Sequence, residues 1–136
     1  MNSLTWKLVL PLTIISFTMV TKCWNVEAGE YKEILKGFPL PYVCPGWHTS
    51  LSLQIFVFEL IVDILFYFLF WFLTIIAIVK FVRPFRVPNP VVVALFAISG
   101  LFVIAMIVLA ANPDNICTII RPFEIKIIET GYCFIW

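Results

Sequence analysis

Glu59 and Asp63 stand four residues apart in FVFELIVDILFYFLFWF, residues 56–72, a stretch otherwise apolar enough to sit in lipid. On a helix that spacing puts both carboxylates on one face, and a carboxylate pair deep in a bilayer is the kind of group that carries a proton or a cation. Cys23, Cys44, Cys117 and Cys133 form a second reactive set, able to staple the chain as disulfides or to exchange electrons as thiols. His48, four residues after Cys44 in CPGWH, would add one more metal ligand. A closed zinc site takes four ligands, so no metal site is expected. The chain has no phosphate-cradling glycine loop, serine nucleophile elbow or paired-histidine motif, and no span carries a histidine for haem. No catalytic residue and no cofactor are expected.

The elements that must position these residues follow from composition. The chain of 136 residues is 62% hydrophobic and only 12% charged, with mean hydropathy +1.06, against about 25% charged residues in a soluble domain. The expected class is an all-α integral membrane protein with three transmembrane helices, a single membrane domain over residues 1–136. At about 20 residues per span, that length excludes a separate soluble catalytic domain. A net charge of +1 offers no field for nucleic acid. The first span is expected over about residues 4–24, with Pro11 kinking it and Trp6, Lys7, Lys22 and Trp24 at its edges. A cleaved signal peptide is the rival reading, but no small-x-small cleavage site follows the apolar run. The second span falls within residues 51–79 and the third over about 91–111.

Between the last two spans, KFVRPFRVPNP carries Lys80, Arg83 and Arg86. Positive charge in short loops marks the cytoplasmic side, so Lys7, Lys80, Arg83 and Arg86 are the expected inner anchors. The N-terminus is then inside, and the outer loop 25–50 and the tail 112–136 lie outside the cell membrane. All four cysteines fall on that outer side, where disulfides persist. Three pairings are open to them; local pairing, Cys23 with Cys44 and Cys117 with Cys133, is the expected one, since each bond staples one segment to itself. The tail alternates around Glu124, Lys126 and Glu129 and is expected to turn at residues 129–131 into YCFIW. With the outer loop it should form a small, disulfide-braced, β-hairpin-like cap.

GFPLPY, residues 37–42, followed by DILFYFLFWF, residues 63–72, resembles a loose group of small, uncharacterised prokaryotic membrane proteins. In these, an extracytoplasmic Gly-aromatic-Pro-x-Pro-aromatic turn precedes an aromatic-rich helix with an aspartate in its first half. The resemblance covers roughly residues 37–80; it implies a prokaryotic cell membrane and no activity.

Counting back about 20 residues from Lys80 places Glu59 near the outer interface and Asp63 one turn deeper, which favours a structural role over transport. The aromatic run covers every side of its helix, more than three helices can shield. The functional expectation is a non-catalytic accessory subunit of a larger membrane complex, a respiratory or other membrane oxidoreductase among the hosts, with lipid and other membrane subunits as partners. A thiol-disulfide oxidoreductase and a small ion-coupled transporter are the alternatives. Against the first, no CxxC pair is present to lower a thiol pKa.

Overall fold

The computed structural model describes residues 3–28, 31–46, 51–81 and 87–133. Three helices, α1 (Ser3–Met19), α2 (Val57–Phe81) and α3 (Asn89–Ala110), carry a six-stranded mixed sheet. The strands are β1 (Thr21–Ala28), β2 (Tyr31–Lys36), β3 (Val43–Pro45), β4 (Leu53–Phe56), β5 (Ile116–Thr118) and β6 (Lys126–Cys133). The all-α class is therefore wrong, since the outer segments build one sheet in the order β5-β4-β3-β2-β1-β6 and not a small hairpin cap.

Among the described residues two helices are long and apolar enough to cross a membrane, not three. At about 1.5 Å per residue, the 25 residues of α2 and 22 of α3 exceed the roughly 30 Å hydrocarbon thickness. The 17 residues of α1 fall short of it. The first apolar run does not reach Trp24 because the chain leaves the helix after Met19 and enters β1, which pairs antiparallel with both β2 and β6. Trp24 is consequently a sheet residue, its indole N–H donating to the Gly37 carbonyl at 2.9 Å with the Lys22 ammonium over its ring. The second expected span begins in strand as well, at β4, before turning helical at Val57. The tail makes no turn at residues 129–131, which lie within the continuous strand β6; Phe134, Ile135 and Trp136 fall outside the described residues.

β4 and β5 are the one parallel pair in the described sheet. Parallel neighbours need a long crossover, and here α2 and α3 supply it, carrying the chain away from the sheet and back. Asn115 fastens the return: its Oδ1 accepts the Leu53 N–H at 2.9 Å while its Nδ2 donates to the Leu109 carbonyl at 2.7 Å.

The sheet has a core on each face, as strand alternation requires. On the helix side Val43 packs with Tyr42, Phe17 and Tyr67, flanked by Leu53, Ile55 and Met106. On the far side Val26, Leu35, Cys44 and Phe56 are covered by Trp24, Phe123 and Ile125. Phe123 and Ile125 belong to the connection that runs from β5 at one sheet edge to β6 at the other.

The same alternation decides the disulfide. Cys23 aligns with Lys36, and Lys36 with Val43, so Cys23 lies on the helix side whereas Cys44 lies on the far side. Cys117 and Cys133 sit on opposite edge strands. Both expected local pairings are thus precluded. Cys23 instead bonds Cys133, its diagonal neighbour across the β1–β6 ladder, with Cα atoms 5.6 Å apart, inside the usual disulfide range.

Candidate functional site

The acidic pair of α2 is turned inward against the rest of the protein. Asp63 is wholly buried and Glu59 is 6% exposed. Above them lies the turn Gly37–Tyr42, whose Leu40 N–H donates to Asp63 Oδ1 at 2.9 Å. Asp63 thereby takes the place of the backbone acceptor that an irregular loop lacks. The turn reaches the carboxylate because Gly37 holds φ at +145°, and a Cβ there would collide with the Leu40 carbonyl and the Tyr42 ring. The Phe38–Pro39 peptide is cis. Two further bonds anchor the turn's end to the sheet: the Tyr42 N–H donates to the Lys36 carbonyl at 3.0 Å, and the Phe56 N–H to the Tyr42 carbonyl at 2.8 Å.

The pair is the upper part of a longer polar stripe that the sequence reading missed. Tyr67, four residues beyond Asp63, donates its hydroxyl to the Val20 carbonyl at 2.8 Å, just past the end of α1. Trp71, four residues further, donates its indole N–H to Ser16 Oγ at 2.8 Å. Glu59, Asp63, Tyr67 and Trp71 therefore share one helix face at a spacing of four, and three of them are bonded to the loop or the α1 end. Reading FYFLFWF as uniformly apolar hid this spacing, which was present in the sequence as a ladder of polar atoms. Among the described residues, Glu59 Oε2 and Asp63 Oδ2 are buried without a hydrogen-bond partner.

Beside this stripe, but separate from it, an apolar hollow of about 340 Å³ opens between the helices. Leu60 and Ile64, each one residue along from an acidic residue, line it, while Glu59 and Asp63 do not. The carboxylates therefore have no opening onto the cavity. Among the described residues no three His, Cys, Asp or Glu side chains gather as metal ligands. His48 lies outside the described residues, as do Arg83 and Arg86. Of the other expected anchors, Lys7 and Lys80 are exposed, Lys80 with its ammonium 5.9 Å from the Phe81 ring centre.

The thiols that stay free are kept apart. Cys44 is 1% exposed and donates to Gln54 Oε1 at 3.6 Å. Burial, reinforced by the Glu33 carboxylate, pushes its thiol up to about 12, which suppresses the nucleophilic thiolate. Cys117 is exposed on β5, with β4 lying between it and β3. Two strand spacings are about 10 Å, too far for these two cysteines to bond without moving the backbone. Tyr42 is buried in the same loop that caps Asp63, and that burial, with Asp63 and Tyr67 nearby, drives its hydroxyl strongly away from ionisation.

No protein-family model, curated protein or solved structure matches the chain.

Proposed function

We propose that this chain is a non-catalytic accessory subunit of a larger membrane assembly. In this reading α2 and α3 cross the bilayer and the sheet lies on the outer side of a prokaryotic cell membrane. The observation that carries it is the unshielded apolar surface of α3. Val93, Leu101, Ile104, Ile107 and Val108 are all well exposed, and α3 packs on α1 while scarcely meeting α2. A helix apolar on every side requires lipid or other protein around it. The sheet end is built for rigidity, with a disulfide at one edge and the Asp63-capped turn at its centre, so it suits a fixed platform better than a moving catalytic part. Lys80 at the end of α2, followed by Arg83 and Arg86, supports an inner position for the α2–α3 connection. A membrane oxidoreductase is a host class compatible with the small size and aromatic content.

Extraction of native membranes in a mild detergent, followed by a native gel and mass spectrometry of the comigrating proteins, tests the proposal. Comigration with a stoichiometric larger complex is the expected result. Migration of the chain alone, or only with copies of itself, would overturn it.

A further inference from the structure

We infer that the hollow between the helices is a specific binding site for one acyl chain of a bilayer phospholipid. The inference rests on α2 and α3 lying in a membrane, and goes beyond that reading by assigning an occupant to a defined place.

Geometry makes the site. α1 packs against both α2 and α3, but α2 and α3 scarcely touch each other. A slot is left between them, with Ile14 and Phe17 of α1 as its back wall, Leu60 and Ile64 of α2 on one side, and Val103 and Met106 of α3 on the other. Tyr42, Leu53 and Ile55 close its upper end against the sheet.

Chemistry restricts what enters. The lining includes three hydroxyl side chains: Thr13 donates to the Val9 carbonyl at 2.8 Å, Thr18 to the Ile14 and Ile15 carbonyls at 3.0 Å, and Tyr42 is buried at the upper end. The rest of the lining is apolar and offers water few of the two to four polar partners that a buried water requires. A polar ligand is disfavoured for the same reason. An empty slot of this kind would forfeit dispersion contacts along every wall.

Size separates a chain from a helix. A transmembrane helix is about 10 Å across and 30 Å long, whereas the slot is a hollow of about 340 Å³. That volume lies at the lower end of the roughly 300 to 1,000 Å³ typical of small-molecule sites. A single hydrocarbon chain, thin and flexible, can enter sideways from the bilayer, whereas a whole helix could only lie across the mouth of the slot.

The full-length protein, reconstituted in phosphatidylcholine vesicles doped with a phosphatidylcholine bearing a photoactivatable diazirine on its acyl tail, provides the test. After illumination, labelled residues are mapped by peptide mass spectrometry. Labelling at Leu60, Ile64, Val103 and Met106 is expected to exceed that at the outward-facing Leu69, Leu101 and Ile104 by several-fold. Met106→Trp, which fills the slot, should abolish that excess, and Leu101→Trp should leave it intact. Val103→Phe serves as a second filling variant should Met106→Trp fail to form the Cys23–Cys133 bond. Equal labelling of slot and outer surface would overturn the acyl site while leaving the membrane reading in place. Labelling nowhere on α2 or α3 would overturn both. Preferential labelling that persists in both folded filling variants would overturn the slot as its cause.

Discussion

Asp63 Oδ1 accepts the Leu40 N–H at 2.9 Å, although the two residues are 23 positions apart and belong to a helix and an irregular turn. This bond joins the helical part of the molecule to its sheet. It also explains a carboxylate in an apolar helix: the acid supplies a part-buried backbone donor with an acceptor that no strand or helix offers there.

Replacing that acceptor should be costly. Asp63→Ala leaves the part-buried Leu40 N–H without its partner, a loss of about 0.5 to 1.5 kcal/mol. Asp63→Asn keeps a carbonyl oxygen in place and should lose less. Unfolding in graded sodium dodecyl sulfate reports the order wild type, Asn, Ala; equal midpoints for all three would show that the bond contributes nothing.

Gly37→Ala attacks the same turn from its other end. With φ at +145° and the Leu40 carbonyl in the path of a Cβ, the turn must move, at a cost on the order of 1 to 3 kcal/mol. Cys44, buried on neighbouring β3, then becomes accessible to a thiol reagent in the native protein. Wild-type protection of Cys44 in the alanine variant would argue against the predicted shift.

The polar stripe predicts a smaller, separable effect. Tyr67→Phe removes the donor to the Val20 carbonyl and should destabilise by about 0.5 to 1.5 kcal/mol. Trp71→Phe removes the donor to Ser16 Oγ. Because both bonds tie α2 to one end of α1, a double-mutant cycle should show coupling between them. Strict additivity would mean that each acts alone.

Thiol titration separates the cysteines. In the folded, oxidised protein at pH 8, Cys117 should react with iodoacetamide rapidly and Cys44 should stay protected. Raising a thiol's folded value above its unfolded one of about 8.5 favours the folded state below that pH. The advantage fades as pH climbs toward about 12, where the folded Cys44 itself ionises. Between these limits wild type should lose stability faster than Cys44→Ala; parallel pH profiles would remove Cys44 from the effect.

Reduction should free the sheet edge. The Cys23–Cys133 bond spans a sequence separation of 110, and removing a bond that closes so long a loop is expected to cost about 2 to 5 kcal/mol. Cys133→Ser should therefore expose β6 to proteolysis well before the helices. Cleavage rates unchanged from the oxidised wild type would show that strand pairing alone holds β6.

Helices α2 and α3 were legible because a run of some twenty apolar residues has few other uses, and their ends fall within a few residues of those expected except where β4 precedes α2. The sheet was harder to read. TKCWNVEA directly follows an apolar helix, and its strand character depends on pairing with YKEILK and with KIIETGYC, residues about a hundred positions further on. The tail's Thr130 and Gly131 carry a turn signal, but the ladder along β1 keeps them extended. Tertiary pairing overrode local propensity, as it commonly does in strands.

By itself the sequence determined that the chain contains long apolar helices and that Glu59 and Asp63 share a face, because hydropathy and the helical repeat are local properties. Only the tertiary structure decided which way that face points, that Tyr67 and Trp71 continue it onto α1, and that Cys23 meets Cys133. Those outcomes depend on strand order and register, which arise when segments distant in sequence bury their surfaces against one another.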